Sequence, residues 1–208
     1  STSDYQSEIN FIRAYECYQG IQPISRNPPV QVYLQVEQYL STTLNYPPSS
    51  VIREMPLNME GEKEGTHRED MYKALEQTGN SKYYKDINLM CNKLWGWALD
   101  DISLLYQSLI SDFRISEPVY NQIKIKYGRR SSMNSQLRLY LHLRKLGHPC
   151  DYRKFKIPDT DNIINELMQI WNEMCEVLGW EACPTQQDIY SSRSEERRVG
   201  KECVSECR

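Results

Sequence analysis

The chain is expected to be mainly α: a compact multi-helix single domain over residues 1–192, with a proline-marked loop near residues 45–66. Three observations lead there. Apolar residues recur at the 3.6-residue helical period in successive stretches. Glycines stand where those stretches need a left-handed stop, and Ser, Thr, Asp or Pro stand where they need a start. At 208 residues, with 39% hydrophobic content, 15 Tyr and 4 Trp, the chain can bury a core.

The elements follow in order. Residues 4–18 carry Tyr5, Ile9 and Ile12 at helical spacing, with Gly20 as the stop. A connector marked by Pro23, Pro28 and Pro29 leads to residues 30–44, where Val32, Val36, Tyr39, Leu40 and Leu44 share one face. The β-branched start of that stretch, VQVYL, leaves a short strand as the alternative. From Asn45 to Thr66 the period disappears among Pro47, Pro48, Pro56 and the acidic GEKEG run, which reads as a surface loop or an inter-lobe linker, in the simplest case a mobile insertion.

Residues 68–78 resume a helix that Gly79 ends. Ser81 is positioned to cap the next, through Ile87, Met90, Leu94 and on to Trp97. Asp100 and Asp101 open a further helix as first-turn acids, because adjacent carboxylates point about 100° apart and cannot share a proton or metal. Pro118 is expected to restart a short helix to Lys126, Tyr127-Gly128 to break it, and Ser131 or Ser132 to cap another over residues 133–146. Finally Thr160 or Asp161 caps a strongly patterned helix through Ile164, Leu167, Ile170, Trp171 and Met174, ended by Gly179.

Charge is unevenly spread. The formal net charge is −3, yet residues 122–156 hold ten cations against the single acid Asp151. Residues 157–192 hold seven acids and no Lys or Arg. Such asymmetry suggests a polyanion partner or internal pairing. The candidate nucleic-acid contacts are Lys124, Lys126, Arg129, Arg130, Arg138, Arg144, Lys145, Arg153, Lys154 and Lys156. Leu139, Leu143 and Leu146 make an apolar row on the same helix, leaving Arg138 and Lys145 to face water or phosphate. Tyr120, Tyr127, Tyr140 and Tyr152, interleaved with these cations, suit base stacking or packing. Glu166, Glu173 and Glu176, with Asp159 and Asp161, are placed to pair with the basic stretch, each pair worth about 0–1 kcal/mol.

Several classes find no support. No apolar run of about 18 residues predicts a membrane span. P-loop, dinucleotide, nucleophile-elbow and HExxH motifs are missing, so no catalytic residues and no small-molecule substrate are expected. His142, His148 and Cys150 offer three candidate ligands where a structural zinc site wants four, so no metal site is expected. Residues 193–208, beginning RSEERRVGKEC, look like translated sequencing adapter and are set aside as a non-native tail. The remaining Cys17, Cys91, Cys150, Cys175 and Cys183 are widely spaced and read as free thiols of a reducing, intracellular compartment. The start, STSDYQSEINF, has no initiator Met or signal features and is expected to begin a fragment.

Four colinear stretches carry a family resemblance. They are NFIRAYECYQG (residues 10–20), SKYYKDINLMCNKLWG (81–96), RRSSMNSQLRLYLHLRKLGHPCDYRKF (129–155) and IWNEMCEVLGWEACPT (170–185). In order and spacing they resemble the poxvirus late gene transcription factor 3-like proteins of large DNA viruses, over about residues 5–186. The resemblance implies a non-enzymatic regulator of late viral transcription that works with viral RNA polymerase, other transcription factors and template DNA. It also implies action in the host cytoplasm, at the virus factory, or in the nucleus. Family members carry an upstream zinc ribbon that is not present here, so the resemblance implies no cofactor in this chain and zinc only in that missing ribbon. Ala14 stands where the family suggests a tryptophan, which weakens the case for DNA contact by the first helix. The alternative is a helical protein–protein interaction subunit whose basic stretch docks on an acidic partner, or on residues 157–192, without touching nucleic acid.

Overall fold

A computed structural model describes residues 2–158, 160–185 and 187–191. Residues 193–208, expected to be a non-native tail, and Asp159 of the acidic set lie outside the described residues. As expected, the chain is mainly helical. Eight α-helices run in order: α1 (Thr2–Gln19), α2 (Val30–Leu44), α3 (Ser49–Glu54), α4 (Arg68–Gln77), α5 (Ile87–Trp95), α6 (Tyr106–Lys126), α7 (Ser135–Lys145) and α8 (Asp161–Leu178). Among the described residues the sole β feature is one isolated antiparallel bridge, Leu57 to Lys63. Two compact units result: residues up to Ala14 with those from Ile102 onward, and Tyr15–Asp101.

The unit Tyr15–Asp101 is built from α2, α3, α4 and α5. Its core joins Val32, Val36, Leu40, Ile52, Met71, Leu75, Ile87, Met90, Leu94 and Trp95. Helix, not strand, takes the VQVYL stretch, since Val32, Val36 and Leu40 are the buried residues of α2 and repeat at four-residue spacing. Gly20 follows α1 with φ +69, and a Cβ there would stand 3.0 Å from Leu99 Cδ1, so a turn and a close approach both require glycine.

Residues 45–66 correct the mobile-insertion expectation. α3 occupies part of the stretch and buries Ile52, 2% exposed, in the core. Lys63 is 4% exposed, and its Nζ donates to the carbonyl oxygens of Ile52 (3.3 Å), Arg53 (2.8 Å) and Met55. One ammonium thus satisfies three carbonyls at the end of a six-residue helix, where backbone partners run out. Trp97 Nε1 donates to Thr66 Oγ1, whose hydroxyl donates to Lys63 O, fastening the far side of the loop. Lys63→Met is expected to cost about 2–3 kcal/mol, the worth of charge-assisted bonds left unmade. Hydrogen exchange should then speed up first in Ser49–Glu54, and unchanged protection there would refute the role.

The other unit packs the first residues of α1 with α6, α7 and α8. Pro118 does not restart a helix: α6 runs through it from Tyr106 to Lys126. Proline removes the amide that would meet Arg114 O and crowds that turn, and because Arg114 and Pro118 are both exposed, water can reach the freed carbonyl. Phe113 O accepts from Ser116 Oγ (3.1 Å) and from Arg138 Nη2 (3.4 Å), while Pro118 itself faces solvent. Asp100 and Asp101 likewise precede a 3-10 turn, Ser103–Leu105, instead of opening an α-helix. Asp100 accepts the Tyr18 hydroxyl, a tertiary role in place of a first-turn one.

In α7 every residue from Leu137 to Leu143 is buried. A helix apolar all round belongs inside its unit, and this one does. Its two polar interior residues, Arg138 and His142, lie four apart, so they share a face.

Candidate nucleic-acid interface

The ten cations proposed from sequence divide by what α6, α7 and α8 do with them. Arg138 is the clear correction: it is 1% exposed and faces neither water nor phosphate. Its Nη1 donates to Glu117 Oε2 at 2.7 Å and its Nη2 to Ser116 Oγ at 2.8 Å. The guanidinium also lies 4.0 Å from the Phe113 ring centroid. Burial pulls it down from its ordinary pKa while Glu117 pulls the other way.

His142 completes that interior site. Arg138 Nε donates to its Nε2 at 3.4 Å, and Phe11 and Trp171 meet its ring edge to face. Burial first, then the cations of Arg138 and Lys145, drives its pKa well below the ordinary imidazole value, so it is neutral with the proton on Nδ1. His142 is therefore a core group of α7, turned to Arg138 and the aromatic rings.

Three of the proposed cations at the surface of this unit are taken by acids on another of its helices. Arg129 Nη1 meets Glu166 Oε2 at 2.8 Å, Lys126 Nζ meets Glu173 Oε2 at 3.1 Å, and Lys145 Nζ meets Asp112 Oδ2 at 2.8 Å. Lys145 also stands 4.2 Å over the Trp180 ring. The acidic face of α8 thus pairs with the basic stretch at Glu166 and Glu173, as its sequence position suggested. Glu176 is exposed. What local sequence did not disclose is the contribution of α6: Asp112 and Glu117 bind Lys145 and Arg138 across separations of 33 and 21 residues.

The remaining cations stand in two places. At the turn after α6, Arg130 is exposed, and Lys124 Nζ donates to Arg130 O at 3.3 Å while lying 5.6 Å from the Tyr120 ring. In the last turn of α7, Arg144 Nη1 donates to Tyr140 Oη, and beyond the helix Lys154 and Lys156 are half-exposed. Arg153 holds Asp151 through Nη2 at 2.7 Å and Nε at 3.1 Å. The tyrosines pack: Tyr120, Tyr140 and Tyr152 are buried, and Tyr127 hydrogen-bonds Glu173. The rings of Tyr120, Tyr140 and Tyr152 are closed to bases, which leaves contact with nucleic acid mainly to cations and backbone.

Among the described residues no group of three or more His, Cys, Asp or Glu is placed to hold a metal ion. No described helix is long and apolar enough to cross a membrane.

Two curated proteins are similar to this chain. "Putative transcription factor 282R" of Invertebrate iridescent virus 6 is 25% identical over 178 residues, covering 85% of this chain and 46% of that protein. "Putative transcription factor 079L" of Invertebrate iridescent virus 3 is 26% identical over 164 residues, covering 73% and 40%. The chain thus spans less than half the length of either relative. No solved structure matches it. Residues 36–182, from within α2 to just beyond α8, match the family described as Poxvirus Late Transcription Factor VLTF3 like. A match across most of the chain, in both compact units, establishes that the chain belongs to that family.

Proposed function

We propose that this chain is the helical part of a viral late gene transcription factor, working with viral RNA polymerase on template DNA and performing no chemistry itself. The observation that carries the reading is the family match over residues 36–182. Its place of action is the infected host cell, at the virus factory or in the nucleus. DNA contact falls to Lys124, Arg130, Arg144, Arg153, Lys154 and Lys156. Lys126, Arg129 and Lys145, paired with Glu173, Glu166 and Asp112, position the turn and helix that present them. Arg138 holds the interior.

Six phosphate contacts predict a slope of log K against log salt of about −5. Filter binding across a salt series measures it, and a slope near zero removes DNA from the proposal. A second reading is favoured by the internal pairs: the basic stretch is largely a scaffold, and the unit binds an acidic surface of the polymerase. Arg130→Glu with Arg144→Glu separates the two. Lost DNA retention with polymerase capture intact supports the first, and the converse supports the second.

A further inference from the structure

The turn between α6 and α7 reads Arg129-Arg130-Ser131-Ser132. Ser132 is the hydroxyl among the described residues with arginines both two and three positions before it. Residues 129–134 belong to no helix, and Arg130, Ser131 and Ser132 are exposed in succession. An exposed segment outside any helix with two guanidiniums ahead of the acceptor suits a kinase whose substrate groove is lined by carboxylates, since arginine forks match carboxylates bidentately. We infer that Ser132 is a phosphorylation site for an arginine-directed serine/threonine kinase, and that its phosphate is a charge switch on the turn proposed to meet DNA.

The chemistry balances with ATP as co-reactant. Ser132 Oγ bonds to the γ-phosphorus, the bond from that phosphorus to the β–γ bridging oxygen breaks, ADP leaves, and the hydroxyl proton passes to the kinase's aspartate. The product adds a charge of about −1.5 to −2. That charge arises two residues after Arg130 and three before Ser135, where α7 begins with Asn134 as its cap and Asn134 Oδ1 accepting from Leu137 N at 3.0 Å. Both neighbours favour an anion: Arg130 as a cation, and α7 through the positive end of its dipole. Arg129, now shared between the phosphate and Glu166, is the residue whose pairing the modification redistributes.

One feature opposes the reaction. Met133, directly after the acceptor, is 3% exposed, so the kinase must work on a loop anchored one residue away or lift that anchor. Local opening of a short segment without helical hydrogen bonds costs much less than global unfolding.

The test treats the full folded chain with the catalytic subunit of an arginine-directed kinase and Mg-ATP, reading intact mass and a peptide map, with heat-unfolded chain in parallel. One phosphate at Ser132 is expected in the folded chain, absent from Ser132→Ala and retained in Ser131→Ala. Arg130→Ala should slow incorporation by about ten-fold or more, the usual consequence of truncating one partner of a charge pair. Phosphate on the unfolded chain but not the folded one overturns the proposal, as does equal incorporation into Ser132→Ala. The switch rests on the DNA reading, and its test is kept apart. Phosphorylated chain should bind DNA about ten-fold or more weakly than unmodified chain near 0.1 M salt. Unchanged retention overturns the switch, whereas unmodified chain that never binds DNA overturns the DNA reading and leaves Ser132 standing as the site.

Discussion

Glu117→Ala is expected to destabilise the unit containing α6, α7 and α8 by about 3–5 kcal/mol, the cost of leaving a buried charge without its partner. Arg138 is 1% exposed and Glu117 7%, so the variant leaves a guanidinium inside the unit without its anionic partner. Ser116 Oγ and Phe113 O would still accept from Nη2, and the Phe113 ring would still face the cation. None of these carries a negative charge. Ser7 Oγ, which donates to the same Glu117 Oε2 at 3.1 Å, would lose its acceptor too. Urea unfolding followed by tryptophan fluorescence measures the loss, since Trp171 and Trp180 belong to this unit.

The pair itself is a different quantity from its breakage. Replacing both members by apolar residues of similar volume, Glu117→Leu with Arg138→Met, is expected to recover most of the stability, because neither charge then has to leave water. If the double variant is as unstable as Glu117→Ala, the site depends on its hydrogen bonds to Ser7, Ser116 and Phe113 more than on charge. Should Glu117→Ala cost under about 1 kcal/mol, the value of an exposed pair, Arg138 has found solvent.

Arg138 also shows where local sequence stops being informative. The apolar row Leu139, Leu143 and Leu146 locates one buried face of α7, and by periodicity Arg138 and His142 then fall on a polar face. Yet both are buried, because Glu117 on α6 and the rings of Phe11 and Trp171 come from elsewhere in the chain. A three-turn helix surrounded on all sides needs only one remote carboxylate to accept an arginine, and no local pattern names that carboxylate. Pro118 departs from local expectation too: its break is predicted by backbone sterics, yet α6 runs through it with the ring on the exposed face, where water can meet the carbonyl it leaves. Lys63 again caps carbonyls eight to eleven residues away, which made an aperiodic stretch look unbuilt.

What did read correctly is what depends on short range. α8 begins at Asp161, ends at Gly179 in the left-handed conformation, and buries Ile164, Leu167, Ile170, Trp171 and Met174 on one face. Its acids meet the basic stretch across long sequence separations, Arg129 to Glu166 and Lys126 to Glu173, because a segment of ten cations with one acid of its own left charge complementarity few alternatives. Of the candidate interface, the exposed turn at Arg130 was legible, and the split between scaffold and surface cations required the fold.

Asp86→Asn is expected to stabilise the unit Tyr15–Asp101 near neutral pH, because it removes a charge that burial penalises. Asp86 is 1% exposed, and its Oδ1 accepts from Gln22 Nε2 at 2.8 Å and from the Cys17 thiol at 3.7 Å. Its Oδ2 has no hydrogen-bond partner. Burial raises the carboxyl pKa above its ordinary value, with Lys85 pulling less strongly the other way. The neighbours report the same field: burial, then the Asp86 charge, pushes both the Cys17 thiol and the Tyr33 phenol up to about 12. A folded-state pKa above the unfolded one means that at pH below about 4 both states hold the proton and the carboxyl carries no charge penalty. As pH rises through the folded pKa, the folded state must bury a charge that the unfolded state hydrates, and stability is lost. Asparagine has no such proton, so the advantage of Asp86→Asn should be near zero at about pH 4 and grow to a plateau toward neutrality. Urea midpoints measured across that range decide it. Parallel curves, or a variant less stable at neutral pH, would show the charge to be compensated by the amides opening α5, whose first residue follows Asp86 directly.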